Sequence, residues 1–110
     1  MYISLKTLAK IVIYAIGFNP TATVLLYLGY KILKAKLSAK VAKLTARIGS
    51  VCGPAGRLVA WVAGFIGAWY FLGLFVSALW DCVMQGKKGI EVKLKKSRWE
   101  FYYGFTVDAK

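Results

Sequence analysis

The 110-residue chain contains no histidine, two cysteines, two prolines and only four acidic residues, Asp81, Glu91, Glu100 and Asp108. Each scarcity excludes something. Without histidine, a Ser-His-Asp or Cys-His arrangement has no base, and a zinc cluster lacks its commonest nitrogen ligand. Four carboxylates scattered along the chain do not form a paired acid and base. The sequence therefore predicts a protein that is not an enzyme, with no cofactor and no metal. The stretch GKKG at 86–89 lacks the spacing, the preceding strand and the following helix of a phosphate loop, and reads as a hinge. Cys52 and Cys82 flank an apolar run, and thirty residues of helix would hold them about 45 Å apart. That exceeds any disulfide span, so free thiols are expected, with an intermolecular pair as the alternative.

Apolar residues and cations fill the space the acids leave. Hydrophobic residues make up 59% of the chain, aromatics 15%, and mean hydropathy is +0.58, which points to a membrane protein. Sixteen Lys and Arg against four acids give a net charge of +12. Such an excess favours anionic partners: lipid headgroups, nucleic acid or acidic protein surfaces.

Two runs have the length of a membrane crossing. After a basic N-terminal segment (1–10), the uncharged stretch at 11–30 would reach about 30 Å as a helix, and a first transmembrane helix is expected over 11–33. Asn19-Pro20 lies in its middle, because proline removes a backbone donor and disfavours helical geometry just before it. Either the helix is kinked there, with Thr21 and Thr23 satisfying the freed backbone, or Asn19 caps a new helix and 4–17 form a separate segment. The 23 uncharged residues at 58–80 predict a second transmembrane helix, with Trp80 as an interface anchor beside Asp81. In and before it, Gly56, Ala60, Gly64 and Ala68 recur every four residues. Small residues in that register let membrane helices approach closely, so they are the expected helix-packing face.

Between the runs, 34–57 read as a basic amphipathic helix and turn. Leu33, Leu37, Val41, Leu44 and Ile48 make an apolar stripe, and Lys36, Lys40, Lys43 and Arg47 make a basic stripe one position earlier. The basic stripe is the candidate contact for anionic lipid or a phosphate backbone; otherwise it is a solvated face whose apolar side packs internally. Base reading is not expected. At 86–110, alternation through Ile90, Val92 and Leu94, then through Trp99, Phe101, Tyr103, Phe105 and Val107, predicts a basic β-hairpin. Two strands are marginal alone, so Trp99, Phe101, Tyr103 and Phe105 become a candidate interface.

The architecture drawn from the sequence is thus a membrane all-α core, two transmembrane helices joined by a basic amphipathic helix, with a C-terminal β-hairpin. If both runs cross, seven cations lie on one side and nine on the other, which gives no orientation. It suits a protein whose two sides each meet something anionic. The expected role is a non-catalytic integral-membrane structural subunit packed in many copies, most concretely in the membrane of a lipid-containing virion. Its partners would be the lipid bilayer, other copies of itself, larger assembly proteins such as coat proteins, and nucleic acid through non-specific backbone contacts. The alternatives are a pore- or tube-forming element, such as a holin-like lysis protein or a conjugative pilin-like subunit, and a small accessory subunit of a membrane complex.

Overall fold

Ser4 ends a short strand and begins the first helix: its side chain accepts from the Thr7 amide, the usual way a serine satisfies a free helical N–H. The strand is β1 (Tyr2–Ser4) and the helix α1 (Leu5–Ile16). The computed structural model describes residues 1–99 and 102–110. Leu8, Ile11, Val12 and Ala15 turn one face of α1 into the core. Gly17 ends it in the left-handed region (φ 78°), donating its amide to the Ile13 carbonyl. The chain is irregular until Thr21, whose hydroxyl accepts from the Val24 amide and caps α2 (Ala22–Leu28). Asn19-Pro20 therefore marks a full break, with Thr21 and not Asn19 as the cap. Thr21→Ala is expected to destabilise the protein by about 1 kcal/mol, read by chemical denaturation.

The next three elements are α3 (Tyr30–Ala39), α4 (Val41–Val51) and α5 (Gly53–Ile66), with breaks at Lys40 and at Cys52. Leu33, Leu37, Leu44 and Ile48 are buried and Val41 packs against the core beside them. The apolar stripe at 33–48 is thus an internal surface, divided over two helices.

The long uncharged run at 58–80 is not one helix. Gly67 interrupts it at φ 139°, ψ 113°, a conformation that a side chain opposes. Beyond it runs α6 (Ala68–Met84), whose 17 residues reach only about 26 Å. No helix among the described residues is long and apolar enough to cross a membrane. That finding overturns the two-span architecture, and with it the integral-membrane and virion-membrane placement and the transmembrane character drawn from composition.

The apolarity of α6 has another cause. Helices α2, α3, α4 and α5 all contact it, and the sheet packs against it as well. Phe71, Leu72, Phe75, Val76, Ala78, Leu79 and Cys82 are consequently buried along one broad face of the helix, while Trp69, Tyr70, Ser77 and Asp81 on the other side are exposed. A helix with so broad a buried face, and with aromatic residues on its exposed first turn, carries the same apolar signature as one in lipid. Trp80 is half-buried and meets Tyr30 edge-on at 5.6 Å, so it is a packing residue between α3 and α6 and not an interface anchor.

Strands β2 (Gly89–Lys96) and β3 (Tyr102–Ala109) pair antiparallel, but no free-standing hairpin results. β1 adds to the other edge of β2, also antiparallel, with Ile3 opposite Ile90, and the sheet order is β1-β2-β3. Gly89 lets the two strands close: a Cβ there would collide with the Ile3 carbonyl oxygen and the Tyr2 ring. The inner face, with Ile3, Ile90, Val92 and Phe105, packs on the helices and supplies the support a two-stranded hairpin would lack.

Candidate functional site

Helix α5 carries apolar residues on both sides. Gly56, Val59, Val62 and Ala63 face inward, while Leu58, Trp61 and Phe65 face outward. Trp61 is 64% exposed and Phe65 77%, and their rings stack one turn apart with centroids at 5.9 Å. Exposed aromatic residues recur beyond Gly67 in the first turn of α6, where Trp69 is 65% exposed and Tyr70 half-exposed. Tyr70 is tied to the sheet beneath by Phe105, 6.4 Å away. Scattered surface apolar residues are ordinary, but five large ones within thirteen positions spanning one helix junction form a patch of the kind that marks an interaction site.

Cations stand around this patch and not within it. Arg57 precedes Trp61 by one turn on the same side of α5. Lys93 lines, with Ala55 and Leu58, a depression of about 370 Å³ between α5 and β2. A Cβ placed on Gly104 would lie 3.6 Å from the Lys95 side chain and 3.7 Å from the Tyr70 hydroxyl, which puts that lysine beside that aromatic. From Leu58 to Gly86 there is no Lys or Arg at all.

The residues singled out by sequence are distributed differently. Gly56 is buried where α4 meets α5, and Ala60 lies against Gly49 of α4, so these two positions pack within the chain. Gly64 is exposed with nothing around it, and Ala68 lies past the Gly67 break. The four residues do not share one helix face. Of the basic stripe, Lys36 sits 5.5 Å over the Phe18 ring, and Lys43 and Arg47 lie 5.6 and 4.8 Å from the Tyr14 ring. Such contacts contribute about 0.5–1 kcal/mol each at a surface, and here they clasp α3 and α4 to the α1 side of the molecule. The Arg47 Nε atom is buried without a hydrogen-bond partner. Lys40 is exposed at the break between α3 and α4.

In the tail, Phe105 is buried against Phe71 at 5.0 Å, whereas Trp99 and Tyr103 are exposed. Phe101 lies outside the described residues. The expected single aromatic face is split by an irregularity between Lys95 and Lys96: Gly104 pairs with Lys95 and Tyr102 with Lys96, leaving Tyr103 as the extra residue.

Sequence reasoning passed over Trp61, Phe65 and Trp69 by assigning them to the interior of a membrane span. No local signal separates them from the buried part of the run, because the Gly67 break that ends α5 after 14 residues is not marked in the sequence.

Cys52 and Cys82 are free, and burial pushes both thiols up from their ordinary value. A raised thiol is stabilised in its neutral form, so this contribution is present at neutral pH and is lost as pH rises into the thiolate range. Among the described residues, no group of His, Cys, Asp or Glu could hold a metal ion.

No family model, curated protein or solved structure matches the chain.

Proposed function

We propose that this protein is a non-catalytic assembly component that works by docking the aromatic face of α5 and α6 onto a partner surface. The observation that carries this reading is the exposure of Leu58, Trp61, Phe65, Trp69 and Tyr70 on either side of the α5–α6 junction. Covering large apolar side chains is worth about 1.5–3 kcal/mol each when burial is complete, so a few of them suffice for a stable contact. Such residues at the centre of a patch, with charges at its edge, match the anatomy of binding hot spots. The absence of histidine and the scatter of the acids support a binding role over a catalytic one.

The test is fractionation of cells producing either the parent or the Trp61→Ser/Phe65→Ser variant. The parent is expected in a sedimenting complex and the variant in the fraction of the free 12.2 kDa chain. Because both positions are exposed, thermal unfolding of the variant should stay close to that of the parent. Co-sedimentation of the double variant at the parent's level would remove the aromatic face from the function.

A further inference from the structure

We infer that the surface covered by this face is an anionic lipid interface, on which the protein lies without crossing it. The inference rests on the docking reading above and names its partner.

Three observations select lipid. The first is the separation of charge from apolar surface. The centre of the patch, Trp61, Phe65 and Trp69, holds no charged group, while Arg57, Lys93 and Lys95 stand at its border. A membrane boundary has that layering: acyl chains and carbonyls accept Trp, Phe and Leu, and anionic headgroups a few ångströms farther out accept Lys and Arg. A nucleic-acid interface is organised the other way, with cations throughout it meeting phosphates that recur every few ångströms.

The second is shape. The patch is the convex outer side of a helix and the turn after it, which suits shallow insertion into a fluid layer. The Trp61 and Phe65 rings are stacked on each other, with planes 11° apart, so each offers one face fewer to a stacking base.

The third is sign. A second copy meeting this face symmetrically would bring Arg57, Lys93 and Lys95 against their own equivalents. Glu91, two residues before Lys93 on the same face of β2, offsets that lysine alone and leaves Arg57 and Lys95 facing their equivalents. Glu91 and Asp108 face each other across β2 and β3, and Asp81 lies twelve residues beyond Trp69 on α6, about 18 Å along the helix.

The experiment is vesicle flotation of the whole chain, together with tryptophan quenching by brominated lipids. Vesicles are phosphatidylcholine with or without phosphatidylglycerol. Binding is expected to the anionic vesicles and to weaken with added salt, and quenching is expected from bromines placed near the headgroup but not from those at the bilayer centre. Each border cation contributes about five-fold near an anionic surface, so Arg57→Gln/Lys93→Gln/Lys95→Gln should bind on the order of a hundred-fold more weakly. Trp61→Ser/Phe65→Ser should lose a similar factor on the same vesicles. Leu58→Gln, at the margin of the patch, provides a milder exposed substitution and should reduce binding several-fold with unchanged circular dichroism.

Several results would overturn the inference: no binding to either vesicle, equal binding to both, quenching from the bilayer centre, or anionic-vesicle binding untouched by the aromatic substitutions. Tighter, aromatic-dependent binding to single-stranded polynucleotide than to anionic vesicles would assign the face to nucleic acid. If vesicles fail but the aromatic variant still leaves its sedimenting complex, docking stands and lipid falls. If the variant changes neither, both fall.

Discussion

Phe71→Ala is expected to lower the free energy of unfolding by about 4 kcal/mol, the largest effect of any single substitution considered, and Tm by about 15 °C. Phe71 is fully buried in the first turn of α6, 5.0 Å from the Phe105 ring on β3 and 6.0 Å from the Phe75 ring one turn on. It is the place where the sheet is fastened to the central helix. Truncation removes the ring's burial and leaves a cavity that strands on one side and helices on the other cannot both close. Its neighbour Tyr70 is half-exposed, and Tyr70→Ala should cost less than about 1 kcal/mol. Chemical denaturation of the two variants is the check. Equal losses would mean that residues 68–75 are not packed as described, since the two positions differ in which way they face and in little else.

Gly56→Ala should destabilise by about 3 kcal/mol, although alanine is normally the better helix former. A Cβ at Gly56 would collide with the Ile48 carbonyl oxygen and the Cys52 side chain, because α4 and α5 pack backbone to backbone after the turn at Cys52 and Gly53. Carbonyl oxygens in a helix do not yield as side chains do, so the two helices must separate. Gly64→Ala sets the contrast. It is two turns farther along α5, exposed and with nothing within 4 Å, and should stabilise by about 0.5–1 kcal/mol through reduced unfolded-state freedom. Opposite signs at positions eight residues apart identify Gly56 as an internal contact. Equal responses would show that α4 and α5 are not in close contact there.

How far the sequence discloses this architecture depends on whether a feature is written in local chemistry. Asn19-Pro20 announces a break locally, since proline disrupts a helix in water or in lipid alike. Period-two alternation through Ile90, Val92 and Leu94 likewise marks extended backbone, because a strand exposes alternate residues to one side. The break at Gly67 carries no such mark. Glycine occurs within apolar helices as well as between them, and only its backbone angles distinguish the cases. The break at Lys40 is equally silent, as lysine is a good helix former. β1 consists of three residues before a helix cap, and its pairing with β2 is a contact across almost the whole chain, beyond any local pattern. The candidate site followed the same logic. Composition cannot tell a helix packed on protein over a broad face, as α6 is, from one surrounded by lipid, and it groups the exposed Trp61 and Phe65 with the buried Phe71 and Phe75. The basic stripe is visible, but the Tyr14 and Phe18 rings beneath its cations come from a segment eighteen or more residues away.

Docking through α5 and the start of α6, as proposed, requires that their exposed aromatic residues become covered in the assembly. Hydroxyl-radical footprinting of the free chain and of the same chain in its sedimenting complex tests this side chain by side chain. In the free protein, Trp61, Phe65 and Trp69 should oxidise readily while Phe71 and Phe75 remain unmodified. In the complex, oxidation of Trp61, Phe65 and Trp69 should fall several-fold, with the exposed Leu26 and Tyr27 of α2 unchanged. Protection of Leu26 and Tyr27 in their place, or equal oxidation of Trp61 and Phe65 in both states, would contradict it.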